Sequence, residues 1–128
     1  FFYQAIRGEP ITVYGDGSQT RSFCFVDDLV EGILRLLRCN YVGPVNIGNP
    51  NEMSLLDMAK KIIAITDSKS ELVYRPLPPD DPKVRRPDIA LARRVLENWE
   101  PKISVSDGLV RTRDYFVETL EREAKAKA

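Results

Sequence analysis

The sequence predicts a small α/β unit of short strands and about four to five helices, with no dinucleotide-binding half. Runs of β-branched and aromatic residues, such as Ile11-Thr12-Val13-Tyr14, alternate along the chain with stretches whose apolar residues recur at spacings of three and four. No glycine fingerprint of the GxGxxG kind follows any such strand. The 128 residues suit one hydrophobic core, so residues 1–128 are read as one domain. Hydrophobic residues make up 43% and charged residues 30%, with only seven glycines, which marks a folding chain and not a disordered or fibrous one.

The first element is helical: Phe1-Phe2-Tyr3-Gln4-Ala5-Ile6-Arg7 carries an apolar helical pattern closed by Gly8, with Pro10 just beyond. Because the chain starts without Met and with apolar rings at its terminus, it is expected to be a fragment whose upstream residues cover them. Ile11-Thr12-Val13-Tyr14 and Arg21-Ser22-Phe23-Cys24-Phe25-Val26 read as two short strands around the turn Gly15-Asp16-Gly17-Ser18. Asp27 is the expected N-cap of an amphipathic helix bearing Leu29, Val30, Ile33, Leu34 and Leu37, with Arg38 near its C-terminal end.

Pro44-Val45-Asn46-Ile47 reads as a strand and Gly48-Asn49-Pro50-Asn51 as a turn. Ser54 and Asp57 form a capping-box-like start for a helix carrying Leu55, Leu56, Met58, Ala59, Ile62 and Ile63. After a strand at Glu71-Leu72-Val73-Tyr74, four prolines at 76, 78, 79 and 82 forbid regular structure in a loop that also holds Asp80, Asp81, Lys83, Arg85 and Arg86. Asp88 is expected to start a helix with Ala92, Val95 and Leu96, and Trp99 with Pro101 to lock the corner after it. The last helix starts near Ser104 and is expected to bury Leu109, Tyr115, Phe116 and Leu120, with residues 121–128 fraying.

Lys plus Arg and Asp plus Glu each total 19, so no global field attracts nucleic acid or an anionic membrane, and any anion site must be local. No apolar run approaches the roughly 20 residues of a membrane span. The chain has no histidine, which excludes Ser–His–Asp triads and His-based metal centres. Cys24 and Cys39 lack paired metal-ligand spacing and read as buried free thiols, so no metal is expected.

Tyr14-Gly15-Asp16-Gly17-Ser18-Gln19-Thr20-Arg21-Ser22-Phe23, followed by Phe25-Val26-Asp27-Asp28-Leu29, resembles the extended short-chain dehydrogenase/reductase family in its sugar-nucleotide branch. Pro44-Val45-Asn46-Ile47-Gly48-Asn49-Pro50 matches a second family block, and Asn98-Trp99-Glu100-Pro101 is similar to its GWEP block, with Asn98 where Gly is usual. Asp80-Asp81-Pro82 with Arg85-Arg86-Pro87-Asp88-Ile89 resembles the DDP…RKPDI run of UDP-glucuronate decarboxylases. The resemblance covers nearly the whole chain and implies its C-terminal, substrate-binding part.

The resemblance implies an NAD-dependent parent that oxidises C4 of UDP-glucuronate, loses carbon dioxide and reduces the keto sugar to UDP-xylose. It gives Arg21 and Arg85, with Arg86 the near alternative, to the substrate diphosphate, since a guanidinium fork stays ionised and donates several fixed hydrogen bonds. Tyr14 and the Gly15-Asp16-Gly17 turn would border the nucleoside, Gln19 would belong to the same substrate-binding segment, and Arg21 would have an assisting role in proton donation. Read by charge alone, Arg21 is a strand-end surface arginine, Arg85 and Arg86 a solvated pair, and Tyr14 a ring packed under a hairpin. The aspartates read as caps and loop-ordering groups and not as an acid–base pair. No tyrosine is followed four residues later by lysine, so the YxxxK pair of the family is absent, and no catalytic residue and no NAD-binding residue is assigned within residues 1–128. A nucleotide-sugar 4-epimerase or 4,6-dehydratase is the alternative, and a non-catalytic nucleotide-sugar-binding module the third reading. The resemblance further implies a homodimer for the full-length enzyme, in the cytoplasm or, with an upstream anchor, in the Golgi lumen.

Overall fold

The computed structural model describes residues 1–128. Gly8, at φ 71°, stops α1 (Phe2–Arg7) by taking the left-handed conformation that costs glycine little, and turns the chain into β1 (Ile11–Tyr14). Ile11 and Val13 are wholly buried on one face of β1, as an alternating strand requires. Above them lies α3 (Leu55–Ile65), which contributes Met58, Ala59 and Ile62 and joins Phe2 and Ala5 in the main core. The Ser54 hydroxyl accepts the Asp57 amide at 3.0 Å and donates to the Asp57 carboxylate at 2.8 Å, which caps α3 as the sequence predicts.

β1 does not form a hairpin with the chain that follows it. It pairs in parallel with β4 (Leu72–Arg75), Ile11 opposite Leu72, while β2 (Thr20–Arg21) is only two residues long and pairs antiparallel with β3 (Met53–Ser54). Gly15 and Gly17 both have positive φ, and the buried Gln19 donates its amide to the Tyr14 carbonyl at 2.8 Å, so the chain leaves the sheet at the end of β1. Residues 44–47 form no strand, because none of the four strands lies beside them and an unpaired strand has no ladder to hold it.

The second helix, α2 (Val26–Arg38), starts one residue after Phe25, not after Asp27; Asp27 sits in its first turn, where a carboxylate faces the positive end of the helix dipole. Its buried stripe is Asp28 and Gly32, with Leu36 half-buried, and not the apolar set that the sequence favours. Val30, Ile33, Leu34 and Leu37 are exposed, Leu37 at 76%. The stripe rests on a second core of Ile89, Ala92, Leu96 and Trp99, built around the short α4 (Ala90–Val95). Asp88 does not enter α4; its carboxylate accepts the Ala90 amide at 2.9 Å.

α5 (Val105–Ala126) is capped by Ser104 and packs Leu109 and Phe116 on the main core. Tyr115 is exposed at 60%, because it sits one residue round the helix from Phe116. The helix does not end at residue 121 but runs to Ala126, its final turns exposed. No helix is long and apolar enough to cross a membrane.

Candidate functional site

The site is built where the proline-rich loop, residues 76–88, lies along β2. Five prolines, at 76, 78, 79, 82 and 87, keep that loop out of any ladder, so its carbonyls are satisfied by β2 and the residue after it. The Thr20 amide donates to the Lys83 carbonyl at 2.9 Å, Arg21 Nη1 to the Pro82 carbonyl at 2.8 Å, and the Ser22 hydroxyl to the Arg85 carbonyl at 2.8 Å. Three consecutive residues thus fasten three of the four positions from 82 to 85.

The far wall comes from Asn46, at the head of the turn formed by residues 46–49. Buried Asn49 donates to the Phe23 carbonyl at 3.1 Å and accepts the Asn51 amide at 3.0 Å, which fixes that turn against the segment after β2. Gly48 lies so close to the loop that an added Cβ would meet Pro87 Cγ at 3.0 Å. Between the walls is an open concavity of about 720 Å³ lined chiefly by Arg21, Ser22, Phe23, Asn46, Arg85 and Arg86. The three arginines assigned to the diphosphate therefore line one cleft.

They are not equivalent. Arg21 is mostly buried, its side chain 18% exposed; Nη1 donates to the Thr20 and Pro82 carbonyls, and Nη2 is ion-paired with Asp81. Three of its five N–H groups are thereby occupied, leaving Nε–H and one on Nη2. Arg85 and Arg86 are exposed and belong to none of the five ion pairs of the chain. The uncompensated positive charge of the cleft is theirs.

Tyr14, Gly15 and Gln19 lie outside this concavity. Tyr14 stands half-exposed at the end of β1 opposite Arg75, Gly15 has φ 67° beneath Leu77, and the Gln19 amide is taken up by the Tyr14 carbonyl. Two hydrogen bonds from Ser18, hydroxyl and amide, hold the neighbouring Asp16 carboxyl below its ordinary value and lock the turn. Burial, and then the Asp28 charge, push the Cys24 thiol up, the opposite of activation. Sequence reasoning missed Ser22, Phe23 and Asn46, which were legible only as neighbours of Arg21 and as part of the block at 44–50.

NAD, the cofactor that the resemblance implies, finds no free amides at the one place where a strand runs directly into a helix. A dinucleotide site needs free amides where a strand runs into a helix. At the junction of β3 with α3 the Leu55, Leu56 and Asp57 amides already bond to Gln19, Gly17 and Ser54.

Residues 1–48 match the NAD dependent epimerase/dehydratase family. By sequence and by fold the chain is similar to part of proteins of that type, the extended short-chain dehydrogenase/reductases. Among curated proteins it is 51% identical over 109 residues to UDP-glucuronic acid decarboxylase 2 of Arabidopsis thaliana, a match covering 85% of this chain and 24% of that protein. Across such decarboxylases the chain spans between 24% and 32% of the relative's length. It superposes on UDP-glucose 4-epimerase of Thermotoga maritima with UDP-glucose at a TM-score of 0.88 and 32% identity, over 93% of this chain and 38% of that one. UDP-glucuronic acid 4-epimerase of Bacillus cereus, in complex with UDP-glucuronic acid and NAD, gives 0.86 and 30%, over 92% and 38%.

Proposed function

We propose that this chain is the substrate-anchoring part of an NAD-dependent UDP-glucuronate decarboxylase, which releases carbon dioxide and UDP-xylose. The observation that carries the reading is the single concavity in which two unpaired cations, Arg85 and Arg86, stand beside the fixed guanidinium of Arg21. A diphosphate leaving water brings about two negative charges, and guanidinium groups match them with directed hydrogen bonds. Anchoring at this end orients the sugar for chemistry performed by residues outside the chain, so the contribution is catalysis by positioning. Tyr14 offers an aromatic face for the base, while Gln19 acts by holding the Tyr14 backbone. The 51% identity to a decarboxylase and the Asp80-Asp81-Pro82…Arg85-Arg86-Pro87-Asp88 run favour this substrate.

A nucleotide-sugar 4-epimerase is the second reading, favoured by the superposition on two 4-epimerases. The test is to supply the full-length protein with UDP-glucuronate and NAD. Carbon dioxide with UDP-xylose is the expected outcome; a C4-inverted product that keeps its carboxylate supports the epimerase, and neither product removes both. A homodimer is proposed for the full-length protein, in the cytoplasm or in the Golgi lumen, and light scattering on that protein checks the dimer.

A further inference from the structure

Asp81 faces the guanidinium that the proposed function gives to the substrate. It takes one of the Arg21 Nη2 donors, and both side chains are largely shielded, 18% and 24% exposed. A carboxylate there opposes a diphosphate in two ways: it neutralises the cation and repels the incoming anion across a partly desolvated cleft. The same carboxylate is the one anchor in this region that can leave without dismantling the site. The ties that hold the loop to β2, Thr20 to Lys83, Arg21 to Pro82 and Ser22 to Arg85, all end on backbone carbonyls beyond Asp81. Asp81 itself lies in irregular chain, its amide bonded only to the Pro78 carbonyl at 3.3 Å, so a side-chain rotation frees it.

We propose that Asp81 is an internal counter-ion that competes with the ligand diphosphate for Arg21, so that nucleotide binding replaces a carboxylate by a phosphate on one guanidinium. Without ligand, Asp81 keeps Arg21 aligned and compensated. With ligand, the freed Nη2 donor and the unoccupied Nε–H form one edge for phosphate oxygens. The exchange rests on the reading of Arg21 as a diphosphate ligand and makes Asp81 a tuning residue for affinity.

The test is calorimetric titration of UDP into the full-length protein and into its Asp81→Asn, Asp81→Ser, Arg21→Ala and Arg21→Ala/Asp81→Asn variants, with thermal melts as the folding control. Asp81→Asn and Asp81→Ser each tighten UDP about three- to fivefold, the scale of a partly exposed ion pair. The gain vanishes in the Arg21→Ala background, because the competition acts through that guanidinium. Tightening that persists without Arg21 is through-space repulsion and overturns the proposal. Unchanged or weaker binding in both Asp81 variants overturns it too, since Asp81 then only positions Arg21. If Arg21→Ala alone leaves UDP affinity unaltered, the site reading fails first and the exchange with it, a result distinct from the other two.

Discussion

At the scale of single residues, the arginines show how far a side chain's neighbours decide what it can do. Arg21 is identical in charge to Arg85, yet its guanidinium is held by two carbonyls and a carboxylate, while Arg85 and Arg86 stand free. Removing the held one takes away an oriented donor: Arg21→Ala in the full-length protein is expected to weaken UDP by about 1.5–3 kcal/mol, the range for hydrogen bonds to charged groups, as read by calorimetry. The turn before it makes a second residue-scale case. Asp16 is exposed, and its bonds from Ser18, the hydroxyl first and the amide second, are the main cause that depresses its carboxyl. A depressed carboxyl stabilises the fold above its unfolded-state value and loses that contribution as pH falls through the folded one. Ser18→Ala is therefore expected to move the Asp16 titration midpoint upward, toward an ordinary aspartate, in a carboxyl-detected NMR titration. A midpoint that stays put assigns the depression to something other than the Ser18 hydroxyl.

Among elements, helix positions were legible and strand partners were not. Ser54 and Ser104 announce α3 and α5 because a capping hydroxyl three residues before an amide is a local signal. The pairing of β1 with β4 joins Ile11 to Leu72, and nothing in a period of two says which distant strand will be the neighbour. The same limit hid the buried face of α2. The apolar set at 30, 33, 34 and 37 predicts burial by pattern, but the close approach is made by Gly32, where an ideal Cβ would lie 2.7 Å from Ile47 and 3.1 Å from Trp99. In an exposed helix Gly32→Ala would gain up to about 1 kcal/mol of propensity. Here the added methyl overpacks a contact made with an indole and a β-branched chain, costing about 1–3 kcal/mol, so a net loss is expected in urea denaturation. Leu37→Ala, at 76% exposure on the opposite face, should change stability by less than about 0.5 kcal/mol.

At the scale of the whole molecule, the arginine-lined cleft depends on two separate cores keeping their relation. β2 and its neighbours rest on the main core through Phe23 and Met53, whereas the wall at 46–49 rests on the second through Val45 and Ile47. The arginines at 21 and 85 were visible in the sequence, but the cleft was not, because its shape comes from these contacts across the chain. One residue ties the second core to the approach of α5, the helix packed on the main core: Asp28, 8% exposed, accepts the Ile103 amide at 2.9 Å through its carboxylate, while its carbonyl accepts the Trp99 indole N–H at 3.1 Å. Both bonds run from the start of α2 to the corner between α4 and α5. Asp28→Ala keeps the carbonyl and strips the carboxylate, leaving a part-buried amide unpaired at a cost of about 1–3 kcal/mol. That loss falls on the side of the second core, and Trp99 is the single tryptophan of the chain, so its fluorescence reports there alone. Far-UV dichroism reports all the helices. In the unaltered protein the two signals are expected to change together along a urea titration; in Asp28→Ala the fluorescence transition should come first, with the dichroism following at higher urea. If the two curves stay superimposed while both shift, the cores unfold as one unit that Asp28 stabilises without joining, and the bridge is not what keeps the cleft in shape.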